Sequence, residues 1–102
     1  TMMNKYRRNL YVIFTDEDRK EQLYHPKSGS FYELNEVGSL IWDELIEWVT
    51  VEEIVTKLLK KFEDAPRTLV ENDVRSFVNS LNERELIEII VFEVAAKNGN
   101  IS

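Results

Sequence analysis

The sequence predicts an α+β fold: a three-stranded antiparallel sheet followed by three helices, in a winged helix-turn-helix arrangement, with an extra C-terminal strand. Three observations predict it. Strand-like segments punctuated by turns run to Leu34, helical spacing takes over from Asn35 to Leu81, and a dense apolar run returns at Leu86–Val94. At 102 residues the chain has the size of one domain with one core. We expect that domain to span 1–96 and a polar tail to occupy 97–102.

Leu10–Phe14 is rich in β-branched and aromatic residues and predicts the first strand, with the polar run Thr15–Gln22 as a loop. Leu23–His25 resumes as a second strand. Pro26-Lys27-Ser28-Gly29 is turn chemistry, and Ser30–Leu34 follows as a third. Consecutive strands joined by short loops pair as neighbours, which puts the second strand in the centre and the first and third at the edges.

Asn35 is placed to cap a first helix whose inner face is Val37, Leu40, Ile41, Leu45 and Trp48, widened by Trp42 and Ile46. Thr50 with Glu53 has capping-box spacing. Val51, Ile54, Val55, Leu58, Leu59 and Phe62 then give a second helix. The loop Glu63–Arg67 breaks the pattern, Thr68 and Glu71 repeat the capping spacing, and Val70, Val74, Phe77, Val78 and Leu81 define a third helix. The second and third helices, joined by a short turn, supply the helix-turn-helix. Leu86–Val94 has apolar residues on both parities and predicts a strand buried on both faces.

Thirteen basic and 19 acidic residues give a net charge of −6, which argues against a nucleic-acid or acidic-lipid surface. With no cysteine there is no disulfide, thiolate nucleophile or cysteine-based zinc site. The N-terminal stretch carries Lys5, Arg7 and Arg8 but no signal-type apolar core, and Leu86–Ala96 is too short to span a bilayer, so the expectation is a cytoplasmic protein without a membrane partner.

Catalytic chemistry finds little support. Gly29, Gly38 and Gly99 form no phosphate-cradling loop. His25 is the single histidine, too few donors for a metal site, and the serines near it, Ser28 and Ser30, define no triad without geometry. Carboxylate pairs such as Asp16/Asp18 and Glu36/Asp43 are common in any acidic chain. The expectation is therefore no catalytic residue, no metal and no cofactor.

The third strand is the binding feature that remains. Edge strands are usually blunted by Pro, Lys or a bulge, yet Ser30–Leu34 has only Glu33 as a guard. If Tyr32 and Leu34 point inward, Phe31 and Glu33 face the other way and the main chain is free to take an extended peptide as an added strand. The third helix, with Val74, Phe77 and Val78 and with Asp73 and Arg75 on its shoulders, is the candidate wall of an adjoining groove.

The run Ser28–Trp42, with its Leu-Asn-x-x-Gly-x-x-Ile-Trp block at Leu34–Trp42, together with Thr50–Val55 and Asp73–Leu81, resembles the PqqD-like family. These are the precursor-peptide recognition elements of ribosomally made, modified peptides (RiPPs). The resemblance covers about Leu10 to Ile87. It implies a domain without catalytic activity that binds the leader of a precursor along the third strand, in a cleft that falls here on Phe31, Tyr32, Glu33, Leu34, Asp73, Val74, Phe77 and Val78. A free-standing copy of this size looks like the leader-binding protein of a lasso-peptide system, which works with a leader peptidase and a cyclase. A PqqD-type peptide chaperone that partners a radical SAM enzyme is the alternative. Family domains commonly end soon after the third helix, so Ile89–Val94 departs from the pattern. It can pair with the first strand, join a second copy in a homodimer through 87–94, or fill the third strand's edge. Rival readings of other classes are a DNA-binding regulator with the third helix as reader, and an oligomerisation subunit.

Overall fold

The structure, a computed structural model, describes residues 1–95; the expected tail at 97–102 lies outside them. The elements run β1 (Met2–Arg8), β2 (Ile13–Glu17), β3 (Lys20–Tyr24), β4 (Phe31–Leu34), α1 (Glu36–Glu44), α2 (Val51–Lys61), α3 (Arg67–Glu83) and β5 (Ile87–Glu93). The fold is α+β with three helices and two antiparallel sheets, ordered β2-β3-β4 and β1-β5.

The three-stranded sheet has the order expected, with β3 in the centre, but β2 starts and ends three residues later than Leu10–Phe14. Leu10 and Tyr11 are exposed turn residues. The strand continues through Thr15-Asp16-Glu17 into a two-residue turn at Asp18 and Arg19, whose φ values of 54° and 62° are those of a type I′ hairpin. No Gly or Asn marks that turn, and the strand is polar because almost none of it is buried, so it reads as loop. The second hairpin turns on Gly29 at φ 79°. His25 is buried there, and its Nδ1 accepts the main-chain N–H groups of Lys27 at 3.1 Å and Ser28 at 3.3 Å. That is a turn-building role.

Asn35 caps α1, its side chain accepting from the Gly38 N–H at 2.7 Å. The helix stops at Glu44, short of Trp48, and Ile46 is exposed. The capping box of α2 is present in both directions, Glu53 N–H to Thr50 Oγ1 at 3.1 Å and Thr50 N–H to Glu53 Oε1 at 2.8 Å. The box expected at Thr68 is not: α3 begins two residues earlier than that cap implies, with Pro66 as its N-cap and no side-chain cap. The Pro66 ring fixes φ at −65° where the chain enters the helix. Ile41, Leu45, Ile54, Val55, Val74, Val78, Leu81 and Leu86 are fully enclosed, with Leu23 closing the core from the sheet.

The strand missed by pattern reading is β1. It pairs with β5 from Met2↔Glu93 to Arg8↔Ile87, so the C-terminal strand neither meets Leu10–Phe14 nor fills the edge of β4. Its other side is held by the α1–α2 connection, where Tyr6 and Val49 exchange both main-chain bonds and the Arg8 N–H reaches the Leu45 carbonyl. The Arg8 guanidinium donates twice to the Trp42 carbonyl, at 3.0 and 2.8 Å, supplying the cation that the last turn of α1 lacks. Burial lowers its pKa, opposed by the Asp43 carboxylate. Nor is β5 buried on both faces as expected. Only Ile87 is enclosed, and Ile89, Ile90 and Val91 are exposed, because the ribbon has a single partner strand and one side against the helices.

Candidate functional site

Among the described residues the β4 strand pairs with β3 on one side and with no strand on the other. The His25 N–H donates to the Ser30 carbonyl at 2.9 Å, and antiparallel alternation then directs the main-chain groups of Tyr32 and Leu34 toward β3 and those of Phe31 and Glu33 away from the sheet. The outward Phe31 carbonyl confirms this parity by accepting from Arg84 Nη1 at 3.2 Å.

Beside this row lies an open groove of about 400 Å³ lined by Tyr32, Asn35, Val37, Gly38, Ile41, Asp73, Ser76, Phe77 and Ser80. Tyr32 and Phe77 meet edge to face at 5.7 Å between centroids and join the strand to α3. Gly38 sets the width. A Cβ there would lie 3.1 Å from Phe77 Cε1 and 3.1 Å from Asn35 Oδ1, so a larger residue would make the Phe77 ring give way by a few tenths of an ångström. A second, mainly apolar pocket of about 170 Å³ shares Val37 and Asp73 with the groove and continues between α2 and α3 over Leu58, Phe62, Leu69 and Val70.

Of the eight residues expected here, Tyr32, Asp73 and Phe77 line the groove, and Phe31 and Glu33 supply the outward main chain. Leu34 and Val78 are core residues beneath it, 7% and 1% exposed, and back its walls; Val74 is enclosed and backs the second pocket. Asn35, Val37, Gly38, Ile41, Ser76, Ser80 and Arg84 escaped the sequence reading as site residues. Of these only Val37 carries an apolar signal at helical spacing that the core leaves exposed, at 40%; Phe62 and Leu69, 39% and 55% exposed, do the same for the second pocket. Arg75, expected on the groove's shoulder, instead pairs with Glu71 and Glu52 at 3.0 and 2.8 Å beside a cavity against β1; the hydrogen bond it donates to the Glu71 carboxylate, more than any other contact, raises its pKa.

Among the described residues no three His, Asp or Glu side chains are grouped to hold a metal ion, and no helix is long and apolar enough to cross a membrane. What the arrangement offers is an open strand edge with a furrow of mixed character along it, the Tyr32 and Phe77 rings set among small and polar side chains, a setting for an extended chain.

The family model for coenzyme PQQ synthesis protein D (PqqD) matches residues 22–87, which takes in β4, all three helices and the groove. The chain belongs to the PqqD family, as a PqqD-like RiPP recognition element. Among solved structures it is similar to TbiB1 in complex with the TbiA(beta) leader peptide, at 33% identity and a TM-score of 0.70 over 80% of this chain and 94% of that one. It also shares its fold with lasso peptide synthetase B1 complexed with the leader peptide, at 23% identity and a TM-score of 0.68 over 81% of this chain and 96% of that one. No curated protein matches it.

Proposed function

We propose that this protein is a non-catalytic, cytoplasmic leader-binding domain of a lasso-peptide system, which takes the leader of a ribosomally made precursor as an added strand on β4 and presents it to a leader peptidase and a cyclase. The observation that carries the reading is the outward main-chain row at Phe31 and Glu33 running beside the Tyr32–Phe77 furrow. The similarity to TbiB1, a protein captured with a leader peptide, supports it. The working unit on this reading is 1–96, a winged helix-turn-helix in which α2 and α3 follow the β2-β3-β4 wing.

Strand addition supplies affinity through the main chain, and side chains entering the furrow select the sequence. Micromolar to submicromolar binding, about −8 to −10 kcal/mol, is the range for such a site. The match to the PqqD model favours a second reading, a peptide chaperone for a radical SAM enzyme that uses the same edge. Genes beside this one separate the two, a peptidase and an asparagine-synthetase-like cyclase against a radical enzyme.

The direct test is fluorescence titration of the labelled leader encoded by a neighbouring short reading frame. Wild type should bind and Phe77→Asp should lose at least about tenfold in affinity, about 1.4 kcal/mol. Equal affinity of the two proteins contradicts the groove. A salt-dependent shift of duplex DNA would instead revive the regulator reading, which a net charge of −6 disfavours.

A further inference from the structure

The groove has an unpaired charge at each end. The α3 helix runs antiparallel to β4 across it: Arg84, just past the end of α3, touches Phe31, Phe77 meets Tyr32, and Asp73 shares the far wall with Val37 at the start of α1. At one end the Arg84 guanidinium lies over the Tyr32 ring, 5.2 Å from its centroid, with one N–H on the Phe31 carbonyl. Among the described residues it makes no ion pair. A guanidinium has five N–H donors in a planar fork, so most of its capacity to hold a carboxylate is unused. At the other end Asp73 is exposed and makes no ion pair among the described residues either, in contrast to Arg75 two positions on, which holds two carboxylates. The Glu33 side chain lies on the sheet face opposite Tyr32 and leaves this polarity intact.

We propose that these two residues set the direction and register of the bound peptide: Arg84 takes an acidic side chain at the Phe31 end, and Asp73 takes a basic side chain at the α1 end. Eleven helical positions separate them, about 16 Å of helix, which an extended strand covers in about five residues. The ligand class is thus an extended peptide with an apolar centre flanked by an acid and a base about five positions apart. Main-chain pairing alone is nearly blind to strand direction. Opposite charges at the two ends penalise the reversed peptide twice, as like charges are brought together at both. On binding, Arg84 yields the Phe31 carbonyl to the incoming strand and exchanges that neutral acceptor for a charged one.

This inference rests on the strand-addition reading, and a single experiment separates the two. A displayed library of random peptides is sorted on the wild-type protein, on Arg84→Glu and on Asp73→Lys; both substitutions are at exposed positions, and thermal melts verify that the variants are folded. We expect wild-type binders to share an acid and a base in the stated spacing. Arg84→Glu should exchange acid for base at its end alone, and Asp73→Lys base for acid at the other. A peptide from the wild-type selection should bind either variant about three- to tenfold more weakly. Apolar binders with no charge preference, or with a preference that neither variant alters, overturn the inference and leave strand addition standing. No enriched peptide on any of the three proteins overturns both.

Discussion

Two strands of this molecule, β4 and β5, each pair on one side only among the described residues, and they differ in what lies beside the open side. The β4 strand is four residues long, with a furrow of aromatic and small side chains beside its outward row. The β5 strand is seven residues long, with exposed Ile89, Ile90 and Val91 and with Glu88 and Glu93 toward its two ends. Because Tyr6 turns its main chain to Val49, the pairing alternation places the unsatisfied groups of β5 at Ile89 and Val91. An open edge alone is a liability that charged residues restrain, whereas an open edge beside a shaped furrow can choose what it pairs with. On the proposed function β4 takes the peptide, and β5 is left with the rival role of an interface between two copies.

The largest expected effect concerns what anchors the ribbon. Tyr6 is the one buried residue of β1, so Tyr6→Ala should cost about 3 kcal/mol in a denaturant melt while Phe31→Ala, on the exposed edge, costs less than about 0.5. Next, Val91→Lys on β5 should leave leader affinity unchanged, in contrast to the tenfold loss expected of Phe77→Asp. A dimer in light scattering that Val91→Lys dissolves, with no peptide bound by either form, would transfer the function to β5. A smaller effect is expected at Gly38: the added methyl of Gly38→Ala pushes on the Phe77 ring and should weaken leader binding about threefold, with stability changed by less than about 1 kcal/mol because alanine favours the helix. Smallest is Glu85→Gly. Glu85 follows the C-cap of α3 at φ 61°, a conformation suited to glycine, so the change should stabilise the fold by about 0.5 to 1 kcal/mol in a melt and leave binding as it was.

The same comparison shows where sequence pattern carries structural information. The three helices were readable because their side chains repeat with the period of the element and meet one core, and the order of the β2-β3-β4 sheet with β4 at its edge because short turns join consecutive strands; the bounds of β2 were not, since almost none of it is buried. The β1 strand was not, since Met2–Arg8 is half charged or polar and buries only Tyr6; it is a strand because β5 and the Val49 main chain hold it there, and those partners lie far along the chain. The groove was half readable. Phe77 and Tyr32 announce themselves as aromatics, but Gly38, Ser76 and Ser80 line it by being small, and smallness has meaning only once α1 and α3 are packed together. Arg84 carries no such signal, since only the end of α3 brings it to the Phe31 carbonyl.

Amide hydrogen exchange with and without saturating leader tests the central claim most directly, because it reports the same chemical group at the open sides of β4 and β5. Pairing at β4 should slow exchange of the Phe31 and Glu33 amides by an order of magnitude or more and leave those of Ile89 and Val91 unaltered. Protection at Ile89 and Val91 with none at Phe31 and Glu33 would contradict it.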